Sequence, residues 1–198
     1  MKLDEILIDV RRGARTQRST ITIIDPNHLN DFFNLIDELN FTLEIKCFLA
    51  TALSGGGRVS EVLSLRPSDI NFKTNEAKIK VLKKRESRIS KFTNKKLKIN
   101  KVYRDFPLHP VAVKYLKKLC SKYFQRIFTL DRFQIWRELK KVLGQNFCPH
   151  SLRHSHISER LHKRNQPVAK VAAVMEIDNT TVYAYNHVNI NTENKNYW

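Results

Sequence analysis

The chain has 198 residues, 41% of them apolar, enough to bury one ordinary core, so one folded unit is the expectation. Lys and Arg number 36 against 19 Asp and Glu, a net charge of +17 with a pI of about 10.0, the electrostatic footprint of a nucleic-acid binder. No apolar run approaches the roughly 18 residues of a membrane span, the start Met1-Lys2-Leu3-Asp4-Glu5 lacks a signal-peptide layout, and the scattered Cys47, Cys120 and Cys148 cannot frame a disulfide scaffold, which points to a reducing, cytoplasmic setting.

In chain order, residues 1–20 are polar and basic, with Arg11-Arg12-Gly13-Ala14-Arg15, and are expected to form an arm or linker with at most a short helix. Asp25-Pro26 marks a helix start, Asp25 as cap and Pro26 in the first turn, with Leu29, Phe32, Phe33, Ile36 and Leu39 at helical spacing behind it. A second apolar helix runs from Leu43 to Leu53 and stops at Gly55-Gly56-Gly57; a third spans about Arg58 to Leu65, ended by Pro67. Ala77 to Leu82 alternates apolar and basic residues, as a half-solvated strand does, and is the one region with strand character. Tyr103 to Leu108 is its expected antiparallel partner across a long basic loop. Helices follow at about 110–123, 131–143, 151–163 and Val168–Met175, then a further segment from Asn179. The expected fold is mainly α with a small antiparallel sheet or hairpin (α+β), with residues 21–198 as a single domain.

The charge is concentrated. From Phe72 to Arg104 there are thirteen Lys and Arg and two acids, a net of +11. Such a segment suits a track of phosphates, and Lys83, Arg85, Arg88, Lys91, Lys95 and Lys96 are its expected contacts to double-stranded DNA. It lacks the apolar helical face that a membrane surface would need.

Four side chains carry the chemistry. Arg58 follows three glycines at a helix start, where backbone can approach an anion closely and a guanidinium can grip phosphate oxygens in pairs. Glu61, one turn on, is placed to orient a nearby cation. His150 and Arg153, at i and i+3 after Pro149, project from one side of a helix. A phenol is available from Tyr183 or Tyr185; two residues apart on a helix, they differ by about 200° in direction, so only one faces a given site, and spacing alone does not choose. A competing zinc cluster of Cys148, His150, His154 and His156 would need ligands to fold round from different directions.

Together these residues resemble the tyrosine recombinase (phage integrase) family. Gly55-Gly56-Gly57-Arg58-Val59-Ser60-Glu61 with Leu65-x-x-x-Asp69-Ile70 is similar to its first signature. Pro149-His150-Ser151-Leu152-Arg153-His154-Ser155 is similar to its second, and Thr180-Thr181 followed by Tyr185-x-His187-Val188 to its third, over about residues 21–190. The resemblance implies the catalytic-domain fold, with Arg58 and Arg153 clamping the scissile phosphate, His150 in proton transfer and Tyr185 as nucleophile. It also implies a general-acid Lys on the hairpin, which Lys84 fits best with Lys83 as the alternative. The implied reaction leaves a 3′-phosphotyrosyl DNA intermediate, needs no metal or nucleotide cofactor, and proceeds in a tetramer on DNA. Two departures stand out. A second His, or a Trp, usually precedes the nucleophile by nine or ten residues in a Leu-Gly-His phrase; here Met175 or Glu176 takes that place, with Glu176 preferred by the count from His150. The usual N-terminal DNA-clamping domain has room only in residues 1–20. These departures motivate a second hypothesis, a DNA-binding accessory protein that kept the fold and lost catalysis. A metal-dependent nuclease finds no carboxylate cluster in its support.

Overall fold

The structure is a computed structural model that describes residues 2–11, 20–81, 87–89, 96–98, 103–122 and 125–186; at 11, 87–89, 96–98 and 184–186 the description is of the backbone. The helices are α1 (Leu3–Ile6), α2 (Leu29–Leu35), α3 (Leu43–Gly55), α4 (Val59–Leu63), α5 (Pro110–Cys120), α6 (Arg132–Leu143), α7 (Pro149–Ser158), α8 (Val168–Met175) and α9 (Asn179–Asn186). A wider, π-helical turn, Glu159–Lys163, extends α7. The strands are β1 (Leu7–Arg11), β2 (Thr20–Ile24), β3 (Ile70–Asn71), β4 (Glu76–Lys80), β5 (Ser87–Ile89), β6 (Lys96–Lys98) and β7 (Tyr103–Pro107). The mainly helical fold with small antiparallel sheets is the one expected.

The local signals explain most boundaries. The Asp25 side chain accepts a hydrogen bond from the Asn27 N–H before Pro26 opens a turn leading into α2. Asp131 caps α6 by accepting from the N–H groups of Phe133 and Gln134, and the Gln134 side chain returns a bond to the Asp131 N–H. In β7 the odd positions face solvent and Arg104 and Phe106 face inward, with Leu108 buried just beyond the strand. That register pairs β7 with β4, from Glu76 opposite Pro107 to Lys80 opposite Tyr103, the pairing foreseen from the sequence.

Strand content is wider than the sequence suggested. The stretch read as an arm contains α1 and β1, and β1 pairs with β2 from Leu7 opposite Ile24 to Arg11 opposite Thr20, so the boundary drawn at 20/21 runs through a hairpin. Ile6 is fully buried, and Val10, Ile21 and Ile23 make a small apolar cluster. The β-branched run Thr20-Ile21-Thr22-Ile23-Ile24 favours a strand physically. Within the basic segment, β5 and β6 form a second short hairpin, with Arg88 opposite Leu97 and Ile89 opposite Lys96.

The main core gathers Phe32, Phe48, Leu49, Leu53, Phe106, Phe147 and Leu152 from α2, α3, β7, the α6–α7 loop and α7. A second cluster, Ile157, Leu161, Val171, Ala172, Met175 and Val182, lies under α7, α8 and α9. Helix α7 sits between these clusters and packs on α3, β2 and α9. The hydroxyl of Ser155 accepts from the Ile24 N–H at 2.9 Å and donates to the Ser151 carbonyl at 2.8 Å, which fixes β2 against α7.

Candidate functional site

The site begins at the turn after α3. Gly56 lies in the left-handed region at φ 61°, and a Cβ there would come within 2.6 Å of the Met175 methyl and 2.8 Å of the His156 ring. A side chain at Gly55 would meet the Phe106 ring at 2.7 Å. Glycine therefore lets α3 end hard against β7, α7 and α8. Arg58 caps the short α4 in an extended conformation. Its backbone N–H donates to Glu61 Oε2 at 2.9 Å and its Nη1 to Glu61 Oε1 at 2.6 Å. The Glu61 side chain is fully buried while Arg58 keeps 16% of its side chain exposed. The orienting role expected of Glu61 is what these two bonds accomplish.

Arg153 arrives from α7 and is only 1% exposed. Its Nη1 donates to the Gly56 carbonyl at 2.7 Å and its Nη2 to the Met175 carbonyl at 2.9 Å. One guanidinium thus joins the glycine turn to the end of α8. Arg58 and Arg153 converge on the same turn from opposite sides of the sequence.

Arg104, which sequence reasoning did not single out, lies in the same place. It is 8% exposed, stacks 5.0 Å from the Phe106 ring centroid, and its Nη1 donates to the Gly55 carbonyl at 3.3 Å and the Val174 carbonyl at 3.5 Å. Its Nη2 stands 3.9 Å from Glu61 Oε2. Burial pulls its pKa down, and the Glu61 carboxylate opposes that pull. The available signal was the strand alternation that puts Arg104 on the inward face with Phe106.

His150 is half-buried on the first turn of α7 and borders a cleft of about 300 Å³ lined also by Val59, Arg132, Phe133, Trp136 and Pro149. Its ring meets that of His154 edge-on with centroids 4.9 Å apart. His156 serves differently. Its Nδ1 lies 2.9 Å from the Leu53 carbonyl, so Nδ1 must donate; its Nε2 accepts from Arg160 Nε at 2.8 Å. Both ring nitrogens are committed, which removes His156 from any zinc cluster, and no group of three potential metal ligands occurs among the described residues.

Burial, then the neighbouring Arg160, pushes the His156 pKa down from 6.5 to about 3. A histidine with a depressed folded pKa stabilises the fold fully above pH 6.5 and loses that contribution as pH falls toward 3. We expect unfolding free energy to drop by about 2–3 kcal/mol between pH 7.5 and 4.5 from this group. Urea titrations at the two pH values check it, and His156→Gln should flatten the slope.

The structure also places the other expected residues. Met175 is wholly buried in the second core cluster, whereas Glu176 is half-buried at the cap of α8 with φ 52°, a left-handed conformation usually left to glycine. Glu176 favours the charged form of Arg104, so its carboxyl belongs to the same electrostatic neighbourhood. Tyr183 is 55% exposed on α9. Tyr185 lies on the last turn of α9, which packs on α7 and α8. Lys83, Lys84, Arg85, Lys91 and Lys95 lie outside the described residues, as does His187; Arg88 and Lys96 lie in β5 and β6. No helix among the described residues is long and apolar enough to cross a membrane.

Three arginines, Arg58, Arg104 and Arg153, thus gather about one buried glycine turn, in a chain whose net charge is +17. The profile of the Phage integrase family matches residues 22–192, and the chain belongs to that family. Solved structures agree on the fold. XerA recombinase superposes with a TM-score of 0.66 at 14% identity, covering 93% of this chain and 65% of its own. XerH site-specific recombinase, in a post-cleavage complex with a palindromic difH substrate, gives 0.63 at 16% identity, covering 87% and 52%. The catalytic domain of bacteriophage HP1 integrase gives 0.55 at 14% identity, covering 88% and 94%. The chain spans 65% of the Tn1549 transposon integrase chain, which it matches with a TM-score of 0.57. No curated protein matches it.

Proposed function

We propose that this chain is the catalytic domain of a site-specific DNA recombinase or integrase, its core lying in residues 21–198, that breaks and rejoins strands through a tyrosyl intermediate. The observation that carries the reading is that Arg153 reaches the Gly56 carbonyl, two residues before Arg58, within a chain of the phage integrase family. The arginines would bind the non-bridging oxygens of one phosphate and stabilise the charge that grows as the phosphorus becomes five-coordinate. The Tyr185 oxygen attacks phosphorus, its proton passing to His150 or solvent. The P–O5′ bond breaks, and Lys84 supplies a proton to the leaving oxygen. The products are a 3′-phosphotyrosyl bond and a free 5′-hydroxyl, and the reverse attack by a 5′-hydroxyl rejoins the strand. Bond energy is conserved in the linkage. A phenol near pKa 10 attacks only where cations favour the phenolate, which the arginines around the site would supply.

The structural neighbours solved in complex with DNA, the net charge of +17 and the family profile support double-stranded DNA as the substrate, with Lys83, Arg85, Arg88, Lys91, Lys95 and Lys96 contacting its phosphates. Assembly as a tetramer on DNA and a place beside cytoplasmic DNA belong to the same proposal. A nicked suicide duplex, whose cut strand loses a short fragment, tests it. The protein should form a covalent adduct on the 3′ side of the break, unaffected by a chelator. One observation favours the rival reading, a DNA-binding accessory without catalysis: the Glu176 carboxyl is within electrostatic reach of Arg104. Tight, salt-sensitive binding with no adduct on any nicked duplex would establish that rival.

A further inference from the structure

We propose that Arg104 is a positioning residue for this phosphate site, sharing the Glu61 carboxylate so that Arg58 keeps its charge for DNA. The inference rests on the reading above, in which Arg58 binds the scissile phosphate. Glu61 is fully buried and gives both oxygens to Arg58, one to the guanidinium and one to the backbone N–H. A buried carboxylate facing one guanidinium neutralises it and turns it away from any second anion. Arg104 also stands near that carboxylate, with Nη2 3.9 Å from Oε2. Two cations about one anion leave one net positive charge, and it emerges at Arg58, the partly exposed member of the three.

A second arrangement ties Arg104 to the same task. Its Nη1 reaches the carbonyls of Gly55 and Val174, and Arg153 reaches the carbonyls of the next residue along each segment, Gly56 and Met175. The two arginines stitch the glycine turn to α8 in adjacent steps. Yet Arg104 is not fully engaged as a clamp: its Nε and Nη2 find no hydrogen-bond acceptor among the described residues. A side chain selected only to hold two segments together would not carry a buried charge with N–H groups left over. Of the two, Nη2 stands near Glu61 without a hydrogen bond to it, and there the charge itself is the contribution.

The discriminating experiment is a charge cycle on the full chain: wild type, Arg104→Gln, Glu61→Gln and the double variant. In single-turnover cleavage of the suicide duplex, Arg104→Gln should slow adduct formation by about 30-fold, because Glu61 then masks Arg58. The double variant should recover at least about fivefold of that loss, since the unshared carboxylate is gone. A mere clamp predicts the opposite, a double variant as slow as Arg104→Gln or slower, and that result overturns the proposal. A second readout needs no substrate. The Arg58 Nε–H resonance, assigned by its loss in Arg58→Lys, should shift in Arg104→Gln and return toward its wild-type position in the double variant; an unmoved resonance in Arg104→Gln also overturns the proposal. If wild type makes no adduct while this resonance follows the pattern, the recombinase reading falls and the charge sharing stands. Should Arg104→Gln fail to fold, Arg104→Lys replaces it: kept charge should hold the resonance near wild type, and a shift as large as that of Arg58 in urea overturns the idea.

Discussion

Tyr185→Phe should abolish adduct formation on a suicide duplex, a loss of at least about 10⁴-fold, while leaving the fold intact. The substitution removes the one oxygen proposed to attack phosphorus and keeps the ring. Helix α9 is held through Val182, fully buried in the second core cluster, whose burial is worth roughly 1.5–3 kcal/mol. The melting temperature should therefore stay within about 2 °C of wild type. Tyr183→Phe is the control. With its ring 55% exposed, Tyr183 should tolerate the change with cleavage within about threefold of wild type. Gel separation of the adducts, with peptide mapping of the linked tyrosine, reads both results. An adduct formed by the Tyr185→Phe protein would remove the nucleophile assignment.

The second large effect is expected from Arg153→Gln, where catalysis and stability should fall together. The side chain is 1% exposed and satisfies two carbonyls, Gly56 and Met175. Glutamine reaches neither in the same way, and each buried carbonyl left unsatisfied costs about 1–3 kcal/mol. At 2–4 °C per kcal/mol for a chain of this size, the melting temperature should drop by about 4–24 °C. Loss of the proposed phosphate contact should slow cleavage by about 10²–10³-fold in addition. Temperature separates the two. If instability alone were responsible, assays at 10 °C, where the variant is folded, would restore wild-type rates. A rate that remains depressed in a protein shown folded by circular dichroism assigns the loss to the missing guanidinium. Of its five N–H groups, two are directed to carbonyls, a geometry that aims the plane of the group before any DNA arrives.

How far the sequence reveals this site depends on how local each cause is. The helix Val168–Met175 was legible because Pro167 precedes it and its apolar residues recur at helical spacing. The β4–β7 pairing was legible because both strands alternate and the register follows from which residues must face inward. The family signatures around Arg58, His150 and Tyr185 are local words, and they are readable for the same reason. Arg104 was not readable as a site residue. Its partners Gly55 and Val174 lie 49 and 70 residues away, and only the folded chain brings them within reach. The left-handed Glu176 was equally hidden, because the sequence shows no glycine there to announce the turn. Strands β1 and β2 were hidden for a different reason: each is only five residues long, and the basic run at residues 11–15 between their apolar positions reads as a solvated arm. The placement of His156 shows the same limit. As one of three histidines in seven residues it suggested metal, while its surroundings make it a buried, neutral strut beneath Gly56.

The Ser155 hydroxyl has a mechanical consequence. Through it the first hairpin is fastened to the helix that carries Arg153, with a further bond from the Thr22 N–H to the Asn146 carbonyl just ahead of that helix. A force applied along residues 7–11 would pass through β2 into α7 within a few bonds. Whatever pulls on the leading edge of this molecule is thereby coupled, as by a short lever, to the guanidinium that would grip the DNA.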